Sequence, residues 1–292
     1  MLQSSFIKQQ AATLGFDAVG IAKVTPLPER RLSLESWLAQ GCNGEMTYME
    51  NNVEKRENPA LLVENAQSVV VTLMNYYTDN RQSDGSPRIA RYAYGKDYHA
   101  VIKNKLQQLK HFVGGRCFVD SAPVFEKEWA RRAGLGWIGK NNLFISKTFG
   151  SFVLIGVIVT PEAFDSYDEP FDKVLCGSCK RCIDACPTEA LSPYMLDARK
   201  CIAYDTIEKR QSSAINNLNG NIFGCDRCQE VCPCNADLKT HSHPEFQITP
   251  EVVHLSKQDW KDMNEEKFHR LFDSTPLERT GLQHLQENLS KL

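Results

Sequence analysis

The sequence predicts an α/β protein: an N-terminal layer domain with a mixed sheet, followed by a domain of short helices organised by cysteines. Three observations carry that prediction. Helical and strand-like patterns alternate through the first half of the chain. The run Ser68 to Met74 (SVVVTLM) is β-branched and apolar without a break, as in a strand covered on both faces. And Cys176-Gly-Ser-Cys179-Lys-Arg-Cys182-Ile-Asp-Ala-Cys186-Pro187 has the spacing C-x2-C-x2-C-x3-C-P, which ligates iron–sulfur clusters.

The elements follow in order. Leu2 to Leu14 spaces its apolar residues for a helix and ends at Gly15, a stop signal. Asp17 to Ala22 is a short apolar strand, and Glu29 to Gln40 a helix closed by Gly41. The apolar strand at Ser68 comes next. Asp97 to Val113 places Val101, Ile102, Leu106, Leu109, Phe112 and Val113 near helical spacing before Gly114-Gly115, and Asp97 reads as its N-cap. Arg116 to Asp120 is a strand, Phe125 to Ala133 a helix, and Gly134 to Asn141 a glycine-rich turn. Asn142 to Ser146 and Phe152 to Val159 are strands around a turn at Gly150. Pro161 to Pro170 is acidic and bounded by prolines, and reads as a linker. These signals divide the chain into a first domain over residues 1–165, a cysteine domain over 166–240 and a polar helical tail over 241–292, with Phe268, Leu271 and Phe272 on one face.

Composition sets bounds. The 292 residues carry a formal net charge of −2, so the overall balance lends no support to nucleic-acid binding, although a local basic face stays open. The N-terminus has no basic region, no long apolar core and no twin arginine, and the longest apolar run, Phe152 to Val159, is too short to span a bilayer. A cytoplasmic protein without a membrane partner is expected, and a monomer. Thiolate ligands suit that reducing compartment.

A second cysteine group follows at Cys225, Cys228 and Cys232, before Pro233, and Cys201 stands between the groups. Four plus one plus three gives eight, the number that two 4Fe–4S clusters need. The motif is that of bacterial ferredoxins, so the second domain is expected to be ferredoxin-like with two clusters. A disulfide framework would need an oxidising compartment and a denser small domain. A structural zinc site needs four ligands, which this run overshoots. Cys42, Cys117 and Cys234 are left over and read as packing residues.

A two-cluster ferredoxin needs only its cluster domain, so the preceding residues must hold what the electrons serve. No C-x3-C-x2-C triplet lies near the N-terminus, no G-x-G-x-x-G follows a strand there, and no P-loop is present. Five stretches carry a resemblance: Met46-Thr47-Tyr48-Met49 with Arg56; Gly95-Lys96-Asp97-Tyr98-His99; Val119-Asp120-Ser121-Ala122-Pro123-Val124-Phe125-Glu126-Lys127; Ala133-Gly134-Leu135-Gly136-Trp137-Ile138-Gly139-Lys140-Asn141; and Gly224-Cys225-Asp226-Arg227-Cys228-Gln229-Glu230-Val231-Cys232-Pro233. With the cysteine spacing, the chain resembles epoxyqueuosine reductases from its N-terminus through about residue 280. Longer members of that family add a C-terminal helical-repeat domain, and this chain resembles the compact form.

The resemblance implies an activity and its parts. The first domain would hold a cobalamin, two 4Fe–4S clusters would reduce it, and epoxyqueuosine at the wobble position of tRNA would become queuosine. The tRNA anticodon loop would be the partner, and an external low-potential donor would supply electrons. Asp120 matches the family's proton donor; its competing reading is an N-cap of the helix after Pro123. Burial is expected to raise its pKa toward neutrality. Arg56, Ala90, Asp120 and Phe144 are the expected cobalamin contacts, with core packing the competing reading of Phe144. Crossed ligation would place Cys176, Cys179, Cys182 and Cys232 on one cluster and Cys186, Cys201, Cys225 and Cys228 on the other. His99 reads as a helix-surface or packing residue, and the pairs Arg131-Arg132 and Lys209-Arg210 as candidate phosphate contacts. The alternatives are a reductive-dehalogenase-like cobalamin enzyme and a ferredoxin-like electron carrier for a partner enzyme.

Overall fold

The computed structural model describes residues 1–209 and 215–292. In chain order its elements are α1 (Ser4–Thr13), β1 (Ala18–Lys23), α2 (Pro28–Ala39), α3 (Val53–Glu57), β2 (Ser68–Asn75), β3 (Arg88–Ile89), α4 (Tyr98–Val113), β4 (Arg116–Phe118), α5 (Glu126–Arg132), β5 (Gly136–Ile138), β6 (Phe144–Ser146) and β7 (Val153–Thr160). There follow α6 (Arg181–Asp184), β8 (Leu191–Ser192), β9 (Met195–Leu196), α7 (Ile202–Ile207), β10 (Asn221–Phe223), α8 (Arg227–Glu230), α9 (Pro250–Val253), α10 (Lys257–Lys261), α11 (Glu265–Phe272) and α12 (Leu282–Leu289).

The main sheet has the order β1-β2-β7-β4, with every pair antiparallel. All eight residues of β2 are buried, which is what its unbroken apolar sequence requires. On one face α1 and α4 bring Ile7, Ala11, Ile102, Leu106 and Leu109 against Val70, Met74 and Ile158. On the other, α5 and the β5–β6 hairpin bring Trp129, Ala130 and Phe144 against Val69, Val71 and Leu73. Each such side chain contributes roughly 1.5–3 kcal/mol of burial, so this three-layer core fixes the frame on which the site stands. Gly156 in β7 allows the close seat of α4, since a Cβ there would lie 2.7 Å from Ile102 and 2.8 Å from Thr72.

Three segments depart from their sequence signals. The glycine-rich turn contains a strand: β5 pairs with β6, and Gly136 is small because a Cβ there would lie 2.0 Å from the Ile145 carbonyl oxygen and 2.9 Å from the Phe144 ring. The linker is a strap. Leu2 N–H donates to Ala163 O (2.8 Å), the Asp168 carboxylate accepts from Ile21 N–H (2.8 Å) and Lys8 (2.6 Å), and Phe164 is buried in the first core. The polar tail builds a second core, in which Trp260, Phe268, Phe272 and Leu285 pack with Ile89, Tyr94, Ile222 and Phe223. The parallel pair β3–β10 runs through that core and ties residues 88–89 to residues 221–223. Among the described residues, no helix is long and apolar enough to cross a membrane.

Candidate active site and cluster sites

β4 ends at Phe118 and the chain turns at once. Asp120 has a φ of +53°, and Ser121 N–H donates to Val119 O (2.6 Å) across it. Aspartate tolerates this left-handed region better than most side chains, and strained turns of this kind gather at functional sites. Asp120 is not a cap: α5 begins after Phe125 with no side-chain cap. Instead the Asp120 carboxylate accepts from the Tyr98 hydroxyl (2.6 Å) and faces His99 Nε2 (3.4 Å). His99 Nδ1 lies 2.7 Å from Asp97 Oδ1, and Asp97 caps α4 by accepting from the His99 N–H. The start of α4 thus delivers Tyr98 and His99 together. Glu126 completes the group, its carboxylate accepting from the Asp120 N–H (2.7 Å).

These contacts decide where protons sit. Burial opposes charge on His99, but its bonds to Asp120 and Asp97 prevail and carry its pKa up to about 9. The same His99 bond, against burial and with help from Tyr98, holds Asp120 below the usual carboxylate range. The expected rise of the Asp120 pKa is therefore corrected: burial acts in that direction, and His99 outweighs it. At neutral pH the proton of the pair resides on the imidazole. Burial, then the Asp120 charge, push Glu126 up to about 8, so a protonated carboxyl stands one hydrogen bond away. The Asp120 side chain is 63% accessible, yet protein surrounds it on most sides. It stands in a wide hollow that water enters, so these charges act through screened solvent and their directions carry the argument.

Arg56, in α3, is half-buried, and its Nε has no hydrogen-bond partner among the described residues. Burial lowers its pKa, against the fields of Tyr48 and Glu126, which places it at the same hollow. Tyr48 is half-exposed there and feels Asp120. Lys127 reaches the Asn142 carbonyl (2.7 Å). The other two expected contacts belong to walls. Ala90 is buried, its N–H donates to Phe223 O (2.8 Å), and its carbonyl accepts from Ala93 (3.0 Å). The Phe144 side chain is in the core. Arg131 and Arg132 are not free for phosphate, since both bind Glu128. Arg210 lies outside the described residues.

The cysteines fall into two sets. Cys201 and Cys225 feel Cys186, Cys225 feels Cys201, and Cys228 feels Cys225 and Cys201 and, across the two sets, Cys182. Cys182 and Cys232 feel each other or Cys176, and Cys234 feels Cys176 and Cys179. Burial, then neighbouring sulfurs, push Cys225 up to about 11 and Cys228 well above the ordinary thiol value. Thiols held so high ionise when a metal compensates their charge, so the donor set fits clusters. Among the described residues, no three His, Cys, Asp or Glu side chains converge tightly enough for a single ion. Cys42 is buried and Cys117 half-buried.

A polar lock ties the Cys225–Cys232 segment to the sheet. Asp226 accepts from the Arg91 N–H (2.9 Å), and the buried Arg91 guanidinium lies over the Phe152 ring. Ser151 donates to Gln229 (3.0 Å) and accepts from Asn235 (2.9 Å). Tyr92 feels both Asp120 and Asp226, so one tyrosine links the surroundings of Asp120 to the Cys225–Cys228 segment.

Cysteines spaced for two clusters, in one chain with a carboxylate–imidazole pair that stores a proton, define an iron–sulfur oxidoreductase. The family model "Epoxyqueuosine reductase QueG, DUF1730" matches residues 56–121, which include Arg56, His99 and Asp120, and "4Fe-4S double cluster binding domain" matches residues 175–235. The epoxyqueuosine reductase of Cellulophaga algicola is 44% identical over 99% of this chain and 97% of its own length. That of Leadbetterella byssophila is 45% identical over 98% and 97%. A crystal structure of epoxyqueuosine reductase with an epoxyqueuosine-modified tRNA stem loop superposes with a TM-score of 0.87 at 28% identity, covering 98% of this chain and 80% of that one. The chain belongs to the epoxyqueuosine reductase family.

Sequence reasoning passed over His99, Tyr98 and Glu126. The signal was present, because all three stand inside the motifs that carried the resemblance.

Proposed function

We propose that this chain reduces epoxyqueuosine to queuosine at the wobble position of tRNA, with cobalamin in the hollow beside Asp120. One observation carries the reading: the Asp97–His99–Asp120 chain holds a proton at a carboxylate that water reaches, and Tyr92 stands in the field of both that carboxylate and Asp226 of the Cys225–Cys228 segment. Removing an epoxide oxygen as water breaks two C–O bonds, forms a C=C bond, and takes two electrons and two protons. Cobalamin, when bound, supplies a metal that gathers electrons from one-electron clusters and delivers two.

The chain's own residues handle the protons. Asp120, left-handed at its turn and reached by water, is the group that meets the departing oxygen. His99 reloads it, because the imidazole keeps its proton up to about 9. Glu126, pushed up to about 8, holds a second proton at neutral pH. Arg56 would hold the cofactor through its unpartnered Nε, since a buried guanidinium nitrogen without an acceptor costs about 1–3 kcal/mol until one arrives. Cys176, Cys179, Cys182 and Cys232 would ligate one cluster, and Cys186, Cys201, Cys225 and Cys228 the other. The substrate base is presented from the anticodon loop, where bases already leave the stack. An external low-potential donor supplies the electrons, and the protein acts as a cytoplasmic monomer.

The test is anaerobic cluster reconstitution, addition of cobalamin, gel filtration and an ultraviolet–visible spectrum. A retained corrin band that shifts on reduction with dithionite is expected, followed by turnover of epoxyqueuosine tRNA. Iron–sulfur absorption without a retained corrin would overturn the reading in favour of an electron carrier.

A further inference from the structure

The two cysteine groups differ in their surroundings. Cys225 and Cys228 flank Asp226 and Gln229, both of which are buried. The other group begins at Cys176, directly after Val174 and Leu175, which are 62% and 55% exposed. Tyr194, 46% exposed, is tied through Lys140 to the Cys176–Cys179 loop that follows them. The Lys140 carbonyl accepts from Tyr194 N–H (3.0 Å), while its ammonium donates to Gly177 O (2.6 Å) and Cys179 O (3.1 Å). Tyr194 also feels Cys176 and takes a φ of +64°, a costly conformation for a bulky residue. Single exposed apolar side chains are ordinary; three held together over one redox centre form a patch that calls for a partner.

The rim is basic. Lys173, Lys180 and Arg181 are exposed, and none has an ion-pair partner among the described residues. Asp172 is paired with Arg131. Asp184, the nearest acid on α6, lines a shallow crevice with Arg181 and Cys232. The local positive charge stands against a whole-chain charge of −2, so it orients an approaching acidic partner.

We propose that Val174, Leu175 and Tyr194, rimmed by Lys173, Lys180 and Arg181, form the docking surface for a small acidic protein that carries one electron at a time. This rests on the reading that the clusters feed the Asp120 hollow. Each docking oxidises the carrier by one electron and reduces the outer cluster by one. The electron moves on to the inner cluster, and two dockings serve one epoxide. RNA is the other polyanion in the system, but Val174 and Leu175 offer nothing to phosphates, and the base must reach Asp120 on the inner cluster's side.

The experiment uses the cluster-loaded full chain and a purified, photoreduced flavodoxin as probe. Stopped-flow bleaching of the clusters and flavodoxin binding by calorimetry are read at low and high salt. The variants are K173E/K180E/R181E and, separately, V174S/L175S. Each is expected to slow flavodoxin-driven bleaching at least tenfold and weaken binding, and the charge variant to lose the salt dependence. Iron content, dithionite bleaching and affinity for a tRNA stem loop stay at wild-type levels. Flavodoxin rates unchanged in both variants, loss of stem-loop affinity in their place, or no flavodoxin-driven bleaching of the wild type would each overturn the proposal. Neither readout needs cobalamin or turnover, so failure of the epoxide reading would show separately, in the corrin and tRNA assays.

Discussion

His99 Nε2 lies 3.4 Å from the Asp120 carboxylate, while Asp97 holds the opposite ring nitrogen at 2.7 Å. The imidazole is therefore a proton store with a fixed orientation. Its pKa is raised to about 9 from the ordinary 6.5, so the stability this pair contributes is fully present below about 6.5 and is lost as pH rises through about 9. Single-turnover rates should fall on the alkaline side near that value. H99Q should remove this limb and slow proton delivery at neutral pH by about tenfold or more. Asp120, released from His99, then follows its burial upward. D120N keeps a residue suited to a positive φ and should retain cofactors while losing about 10²–10⁴-fold in rate. An alkaline limb unmoved in H99Q would remove His99 from the proton path.

Arg56 presents a nitrogen that the fold leaves unsatisfied. R56M keeps the aliphatic stem and removes the donor, so the fold loses no hydrogen bond made through Nε. Cobalamin affinity should fall by about 10–100-fold, the equivalent of one charge-assisted bond of about 1.5–3 kcal/mol. Spectral titration of the corrin band measures it. Equal affinity, with thermal stability also unchanged, would show that the cofactor does not use this group.

Cys201 and Cys234 separate ligand from bystander. Burial and neighbouring sulfurs raise Cys201, including Cys186 of its own proposed quartet. Cys234 lies beside Cys232 and also feels Cys176 and Cys179. C201S should bind about half the iron of the wild type, and C234S the full amount, because one missing thiolate of four empties a cubane. Iron and sulfide analysis after anaerobic reconstitution decides it. Full iron in C201S would break the proposed ligation, and half in C234S would move a ligand.

Elements stabilised by their own residues were legible in the sequence. β2 declares itself because both its faces are buried, and α4 because one stripe is apolar, with Asp97 before it and Gly114 after it. What escaped depends on partners distant in the chain. The Phe268–Phe272 stripe reads as a modest tail helix until Ile89 and Phe223 meet it. Asp165 and Asp168 read as solvated charge until Ser4 and Ile21 donate to them. β5 is masked by Gly136, whose lack of a side chain serves the Ile145 backbone and the Phe144 ring of the partner strand. His99 escaped for the same reason, since the carboxylate that charges it arrives from the turn after β4. The chemistry of Asp120 was named from its motif, but its protonation state belongs to a residue on another layer.

Glu128 anchors the α5 layer on the opposite face of the sheet. It is 4% accessible and binds Arg30 (2.9 Å), Arg131 (2.7 Å) and Arg132 (3.1 Å). Arg131 continues to Asp172, and Arg132 to Thr25. One carboxylate thus anchors α5 both to the first strand's exit and to the segment leading into Cys176. Burial opposes its charge, yet the arginines, Arg131 foremost, hold it below the usual carboxylate range. A depressed folded pKa means stability that is present above the unfolded value of about 4.5 and lost as pH falls below it. E128Q leaves three guanidinium groups without their anion. Arg30 is 37% accessible, so water screens part of the loss, and we expect a cost of about 2–3 kcal/mol rather than the upper value for a fully buried pair. Scanning calorimetry at pH 7 should show a melting temperature lower by roughly 5 °C, with the gap held down to about pH 4.5 and closing as pH falls further. A variant as stable as wild type at pH 7 would show that the arginines are satisfied by water, and that α5 is held by Trp129 and its apolar neighbours alone.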